Sequence, residues 1–239
     1  MPAKKTRNSS RPKGISKAPR FDEGDFAVVA IGASAGGIEA VTELVKNLPA
    51  DTGMGFVLIQ HLDPKHQSML TDLLSKQTTM PVFEVRHGMK IESNNVYVIP
   101  PNATMSIKDH VLQLHAREET RGIPMPIDHF MRSLAEANGN RTIGVVLSGS
   151  GTDGTLGMAE IQAQGGVTFA QDDETAKYNS MPRSAIAAGC VDYILPPRQI
   201  SRELARIAKL PYSYASSGPL SSFEEIFLRE IRALSQRPH

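Results

Sequence analysis

Val28-Val29-Ala30-Ile31-Gly32-Ala33-Ser34-Ala35-Gly36-Gly37 is a short apolar run, rich in β-branched residues, that breaks into glycines around one serine. A run of this kind predicts a strand buried on both faces of a parallel sheet. Ile38, Val41, Leu44, Val45 and Leu48 then recur at helical spacing, and Pro49 stops the pattern. Ser34 therefore falls in the tight turn between a strand's carboxyl end and a helix's N-terminus. Unpaired N–H groups point there, and the helix dipole favours negative charge. Three readings share these residues. Ser34 is a nucleophile with oxyanion donors beside it, or the glycines cradle a phosphate or dinucleotide, or the segment is only a turn with Ser34 near the helix N-cap.

Working outward, Gly55–Gln60 reads as a second buried strand that ends at His61, and Met69, Leu70, Leu73 and Leu74 mark a short helix. Pro81–Val85 and Val96–Ile99 read as strands, and Met105–Ile107 with Val111–Leu114 as an antiparallel hairpin around Lys108-Asp109. Ile127, Phe130, Met131 and Leu134 form a helical stripe. Thr142–Leu147 is a strand running into Ser148-Gly149-Ser150-Gly151-Thr152-Asp153-Gly154. Strands at Val167–Ala170 and Val191–Leu195 alternate with helices near Leu156–Gln162, Pro182–Ala188 and Ser201–Leu210. The alternation predicts an α/β fold: a doubly wound, mostly parallel sheet with helices on both faces and a small antiparallel hairpin excursion.

The 239 residues suffice for one such domain, and 40% hydrophobic with 21% charged residues is ordinary for a globular chain. No apolar stretch approaches the length of a membrane span, and no secretory signal opens the chain, so a cytoplasmic location without membrane insertion is expected. The lone cysteine, Cys190, excludes an internal disulfide and a cysteine zinc site, and reads as a small buried residue. The net charge of +1 hides an asymmetry: residues 1–20 hold seven basic side chains and no acidic one, leaving 19 basic against 25 acidic residues in the rest. Residues 1–24 read as a basic disordered tail, and the acidic body argues against a nucleic-acid partner. The folded α/β body is expected over 25–210, a linker over 211–221, and an amphipathic helix over 222–239 opened by the capping box Ser222-Phe223-Glu224-Glu225.

Functional groups of an open α/β sheet gather where strands end. Ser34, His61 and Asp153 all stand at predicted strand ends, and a serine, a base and an orienting carboxylate together are the ingredients of acyl transfer. Each has a plainer reading: turn serine, hydrogen-bonded core histidine, turn-forming aspartate. His61, Asp63 and His66 do not make a metal site, because Pro64 interrupts helical spacing and no further ligand cluster appears. No metal and no cofactor are expected. His129, on the Ile127–Leu134 helix, reads as structural.

Gly32-Ala33-Ser34-Ala35-Gly36-Gly37, Gln60-His61, Gly149-Ser150-Gly151-Thr152-Asp153-Gly154 and Met181-Pro182-Arg183-Ser184-Ala185-Ile186 resemble the signature segments of the chemotaxis protein-glutamate methylesterase (CheB-type) catalytic domain. The resemblance covers roughly residues 25–210 and implies a serine hydrolase. Such an enzyme removes methyl groups from glutamate γ-methyl esters on chemoreceptor cytoplasmic helices, and some members also deamidate glutamine. By motif matching it implies Ser34 as nucleophile, His61 as base and Asp153 as its orienting partner. The backbone N–H groups of Ala35 and Ser150 are the expected oxyanion donors. Ala35 stands where many members carry a hydroxyl residue, and Ser150 where methionine is common. With only 24 residues ahead of the first strand, no phosphorylatable receiver domain is expected here. Ile59–Pro64, Ser148–Gly154 and Lys177–Ala188 look most like the esterase module fused to a receptor methyltransferase, which makes the trailing helix a connector. Two rivals remain. One is an adaptor that binds a receptor or partner with little turnover. The other is a dinucleotide-dependent reductase, disfavoured because none of the five tyrosines has a lysine four residues on.

Overall fold

The computed structural model describes residues 26–60, 67–116 and 125–209; the basic tail, His61, the linker and the trailing helix lie outside these. Ten strands run in chain order: β1 (Val28–Ala33), β2 (Gly55–Gln60), β3 (Val82–Glu84), β4 (Met89–Lys90), β5 (Val96–Val98), β6 (Ala103–Lys108), β7 (Val111–Ala116), β8 (Thr142–Val146), β9 (Val167–Gln171) and β10 (Tyr193–Leu195). Six helices accompany them: α1 (Gly37–Lys46), α2 (Gln67–Ser75), α3 (Pro126–Asn138), α4 (Thr155–Ala163), α5 (Ser180–Ala187) and α6 (Pro197–Ile207).

Seven strands form one sheet in the order β10-β9-β8-β1-β2-β5-β3, and every pairing within it is parallel. The chain starts at the centre with β1, winds out through β2 to the β5-β3 edge, then returns to β8 on the other flank of β1. The order therefore reverses between β1 and β8, and this switch point is where open α/β sheets bind ligands. The expected doubly wound architecture is present.

β1 and β2 are buried along their whole length, because helices cover both faces of the sheet. Alternate residues serve different layers. Val29, Ile31 and Ala33 face Val41, Leu44 and the α6 residues Ile200 and Leu204. Val28 and Ala30 face Ile127, Phe130, Met131 and Leu134 of α3. Each fully buried aliphatic chain contributes about 1.5–3 kcal/mol. The predicted stripe of α1 is buried except for Ile38, which is 39% exposed because the first turn overhangs the end of the sheet beside Ser34.

β6 and β7 form the antiparallel hairpin, with Asp109 and His110 at positive φ in its turn. They are joined by the two-residue β4, too short to stand out in the sequence. α6 begins four residues before the predicted Ser201, since Pro197 occupies its first turn, where a missing N–H costs nothing. Cys190 is buried, and burial pushes its thiol pKa up, as befits a packing residue.

Candidate functional site at the β1–β8 crevice

Ser34 is the first residue beyond β1, and its backbone is fixed from two sides. Its N–H donates to the Ser148 carbonyl (3.0 Å), and its own carbonyl accepts from Gly37 N–H (2.9 Å). Gly36 turns the chain into α1 with φ +67°. A Cβ there would stand 2.9 Å from both Ser148 Oγ and Lys177 Cβ, so left-handed geometry and lack of space both require glycine. The turn is therefore a pinned one rather than a loose loop.

Ser148, the second residue past β8, is the hub of this arrangement. Its Oγ donates to the Ala35 carbonyl (2.9 Å) and accepts from Tyr178 N–H (3.0 Å). Its own N–H donates to Gln171 Oε1 (2.8 Å) at the end of β9. Ser148 and Gln171 are both buried, so each of these bonds is needed to satisfy groups removed from water. Gly149 then passes close to the serine: a Cβ on it would overlap Met181 Sδ and stand 3.0 Å from Ser34 Cβ. The glycine-rich loop thus closes directly over Ser34, and Ser150 sits exposed on it.

The peptide plane sets where the expected oxyanion donors point. In a trans peptide the carbonyl and the following N–H face opposite ways. The Ser34 carbonyl is held by Gly37, and the Gly149 carbonyl accepts from Met181 N–H at 3.1 Å. The Ala35 and Ser150 N–H groups are thereby directed away from α1 and α5. Among the described residues neither donates a hydrogen bond.

Asp153 is buried deeper, where its carboxylate accepts from Ile127 N–H (3.1 Å) and Asp128 N–H (2.9 Å) at the N-terminus of α3. Asp128 returns the arrangement: its Oδ1 accepts from Gly157 N–H (2.7 Å) in the first turn of α4. Asp153, in the loop before α4, so caps α3, and Asp128 of α3 caps α4; both sit at the positive ends of helix dipoles. Burial pushes the Asp128 pKa up, with the neighbouring Asp153 charge adding to it, against the lowering effect of the Gly157 N–H. Its Oδ2 has no hydrogen-bond partner among the described residues.

His61 lies outside the described residues. Gln60, which precedes it, pairs in register with Ala33, which precedes Ser34. His129 directly follows Asp128 on α3; its ring lies 6.5 Å, edge to face, from that of His115, and partial burial lowers its pKa. No group of three potential metal ligands occurs among the described residues, and none of their helices is long and apolar enough to cross a membrane. Sequence reasoning did not find Ser148, Gln171 or Asp128. The one available signal was Asp128 in the first turn of a helix that opens with proline.

The sequence profile of the CheB methylesterase family matches residues 29–204. A protein-glutamate methylesterase/protein-glutamine glutaminase of Pyrococcus horikoshii is 32% identical over 186 residues, covering 76% of this chain and 50% of that protein. A putative enzyme of the same name from Leptospira interrogans is 33% identical over 184 residues, 77% of this chain and 95% of its own length. The crystal structure of the Thermotoga maritima CheB methylesterase catalytic domain superposes with a TM-score of 0.71 at 28% identity, covering 76% of this chain and 98% of that domain. The chain spans about half the length of the Pyrococcus relative it matches.

Proposed function

Because the chain belongs to the CheB methylesterase family, we propose that it is a serine hydrolase acting on glutamate γ-methyl esters of chemoreceptor cytoplasmic helices. Ser34 is the nucleophile, His61 the base and Asp153 the carboxylate that orients it. His61 takes the Ser34 hydroxyl proton as Oγ attacks the ester carbonyl, and the backbone N–H groups of Ala35 and Ser150 hold the oxyanion. Collapse of the tetrahedral species expels methanol, which receives the proton from His61. Water then attacks the acyl-enzyme by the same proton route and releases glutamate. The same site, acting on an amide, would deamidate glutamine and release ammonia.

The observation that carries this reading is the pinned Ser34 turn at the β1–β8 switch point, with Gly149 closing to van der Waals range of the serine. A serine held by its own backbone on both sides spends little entropy in reaching attack geometry. Ala35 weakens the case little, because its contribution runs through the backbone N–H rather than a side chain. A cytoplasmic site of action follows from the substrate. The composition of residues 211–221 and the capping box at Ser222 support a connector towards a receptor methyltransferase module.

The test is incubation with a methyl-labelled receptor cytoplasmic fragment, with volatile methanol as the readout. Wild type is expected to release label, and Ser34→Ala to be slower by about 10⁴- to 10⁶-fold, equivalent to about 5–8 kcal/mol of barrier. Undiminished release by Ser34→Ala would overturn the mechanism. No release by wild type, together with saturable receptor binding, would favour the adaptor.

A further inference from the structure

Gly149 is packed against Met181 and Ser34, but beyond it the loop is exposed and not held by packing. Gly151, at φ +90°, has nothing within 4 Å of where a Cβ would stand. What fixes the loop is the start of α5. Ser180 Oγ donates to the Gly149 carbonyl at 3.2 Å and accepts from Gly151 N–H at 3.1 Å. Ser184 Oγ reaches the Gly151 carbonyl at 3.3 Å, although its single proton is better placed for the Ser180 carbonyl at 2.7 Å. Gly149 N–H is tied to the Tyr178 carbonyl at 2.8 Å.

The Ser180 hydroxyl therefore uses its one hydrogen and one lone pair to bridge the peptide groups on either side of Ser150. The Gly149 carbonyl it grips belongs to the same rigid plane as the Ser150 N–H. Holding that carbonyl against α5 sets the direction of the N–H on the opposite side. The Ser150 side chain is exposed and takes part in none of these bonds, so the bridge acts on the backbone of this position alone.

We propose that Ser180 is a positioning residue that aims the Ser150 N–H at the oxyanion formed on Ser34. The proposal rests on the reading of Ser34 as nucleophile. It assigns a task to a residue that lies outside the serine, histidine and aspartate motifs, on the helix that carries the Met181–Ile186 segment. Because Ser180 is exposed, its two bonds contribute little to overall stability. Their value lies in orientation, since a donor must lie within hydrogen-bond reach of the oxyanion and not merely near it.

Removing an oxyanion donor outright slows turnover by about 10²- to 10³-fold. Met181 N–H still grips the Gly149 carbonyl when the hydroxyl is lost, so a smaller effect is expected. The experiment compares wild type, Ser180→Ala and Ser180→Thr in the full chain. It measures kcat and KM on p-nitrophenyl acetate, inhibition by phenylboronic acid, and Tm. Boron adds to the serine oxygen and presents an oxygen where the oxyanion would stand.

Ser180→Ala is expected to lower kcat about 5- to 30-fold with KM within about twofold, and to weaken the boronate by a similar factor, because both depend on the same donor. Tm should stay within about 2 °C, and Ser180→Thr, which keeps the hydroxyl, should recover most of the loss. Unchanged kcat and boronate affinity in Ser180→Ala would overturn the proposal. A fall in kcat with unaltered boronate affinity, or one that threonine does not restore, would overturn it too, because either marks Ser180 as ordinary folding support. Fluorophosphonate labelling of Ser34 separates the two levels. If Ser34 labels and Ser180→Ala behaves as wild type, only the positioning role falls. If Ser34 does not label in wild type, the nucleophile reading falls and the positioning role with it.

Discussion

Helices α1 and α4 begin in nearly the same way and are finished differently. Each follows a strand at the switch point and opens on a left-handed glycine, Gly36 at φ +67° and Gly154 at φ +94°, with no side-chain cap of its own. At α4 a buried carboxylate from another helix, Asp128, takes a first-turn N–H. At α1 no carboxylate fills the corresponding place among the described residues; the turn is held instead through carbonyls, by Gly37, Ser148 and the Ser148 hydroxyl. The sealed terminus builds structure. The open one leaves positive potential beside Ser34, where the proposed mechanism would develop an anion. One local motif serves two purposes, and the difference lies in what packs against it.

The sharpest way to break this contrast is at Asp153, which belongs to both halves. Asp153→Asn should reduce kcat by about 10³- to 10⁴-fold on methyl-labelled receptor fragment, since an amide no longer orients the base correctly. Asparagine leaves one of the two buried α3 N–H groups facing an amide NH2, and Asp153→Ala leaves both without an acceptor, at about 2–4 kcal/mol in urea denaturation. Next comes Gly36→Ala at the open terminus. Its Cβ would press on Ser148 Oγ in a left-handed conformation, and turnover should fall by about 10²-fold with a stability loss of about 1–3 kcal/mol.

At the sealed terminus, Asp128→Asn tests the carboxylate pair through pH. Asp128 holds its proton more tightly folded than unfolded. Wild-type stability therefore falls as pH rises from the ordinary carboxylate value of 3.8 through the raised native one. The asparagine variant should lose that slope in urea titrations across the acid range while keeping an oxygen for Gly157 N–H. The smallest effect is expected at Gly53, which shares a positive φ of +71° but has nothing within 4 Å of an added Cβ. Gly53→Ala should cost about 1 kcal/mol and leave turnover unchanged. A large activity loss there would show that strain alone, rather than intrusion on Ser148, explains the Gly36 result.

Strands buried on both faces were easy to read because Val28–Ala33 and Gly55–Gln60 are uniformly apolar, and the glycine loops after β1 and β8 announced themselves by composition. The positions of Ser34 and Asp153 at the carboxyl ends followed from that pattern. Ser148 was not legible as a hub, because its partners Ala35, Gln171 and Tyr178 come from three distant segments that only the sheet order brings together. Asp128 was hidden for a related reason: capping of another helix leaves no mark in local spacing. α6 starts ahead of the expected Ser201 because Pro197 is an acceptable first-turn residue. Short-range patterning thus reveals the scaffold and the reactive groups at the strand ends, while the bracing around them depends on contacts between segments 23 to 113 residues apart.

The small antiparallel sheet has a mechanical consequence. β6 leans on α3, where Ile107 N–H donates to Ser133 Oγ at 3.2 Å, and the front end of that same helix supplies the two amides that grip Asp153. The outlying hairpin and the acid are thus moored to the same helix, so any shift of α3 along its axis would displace both.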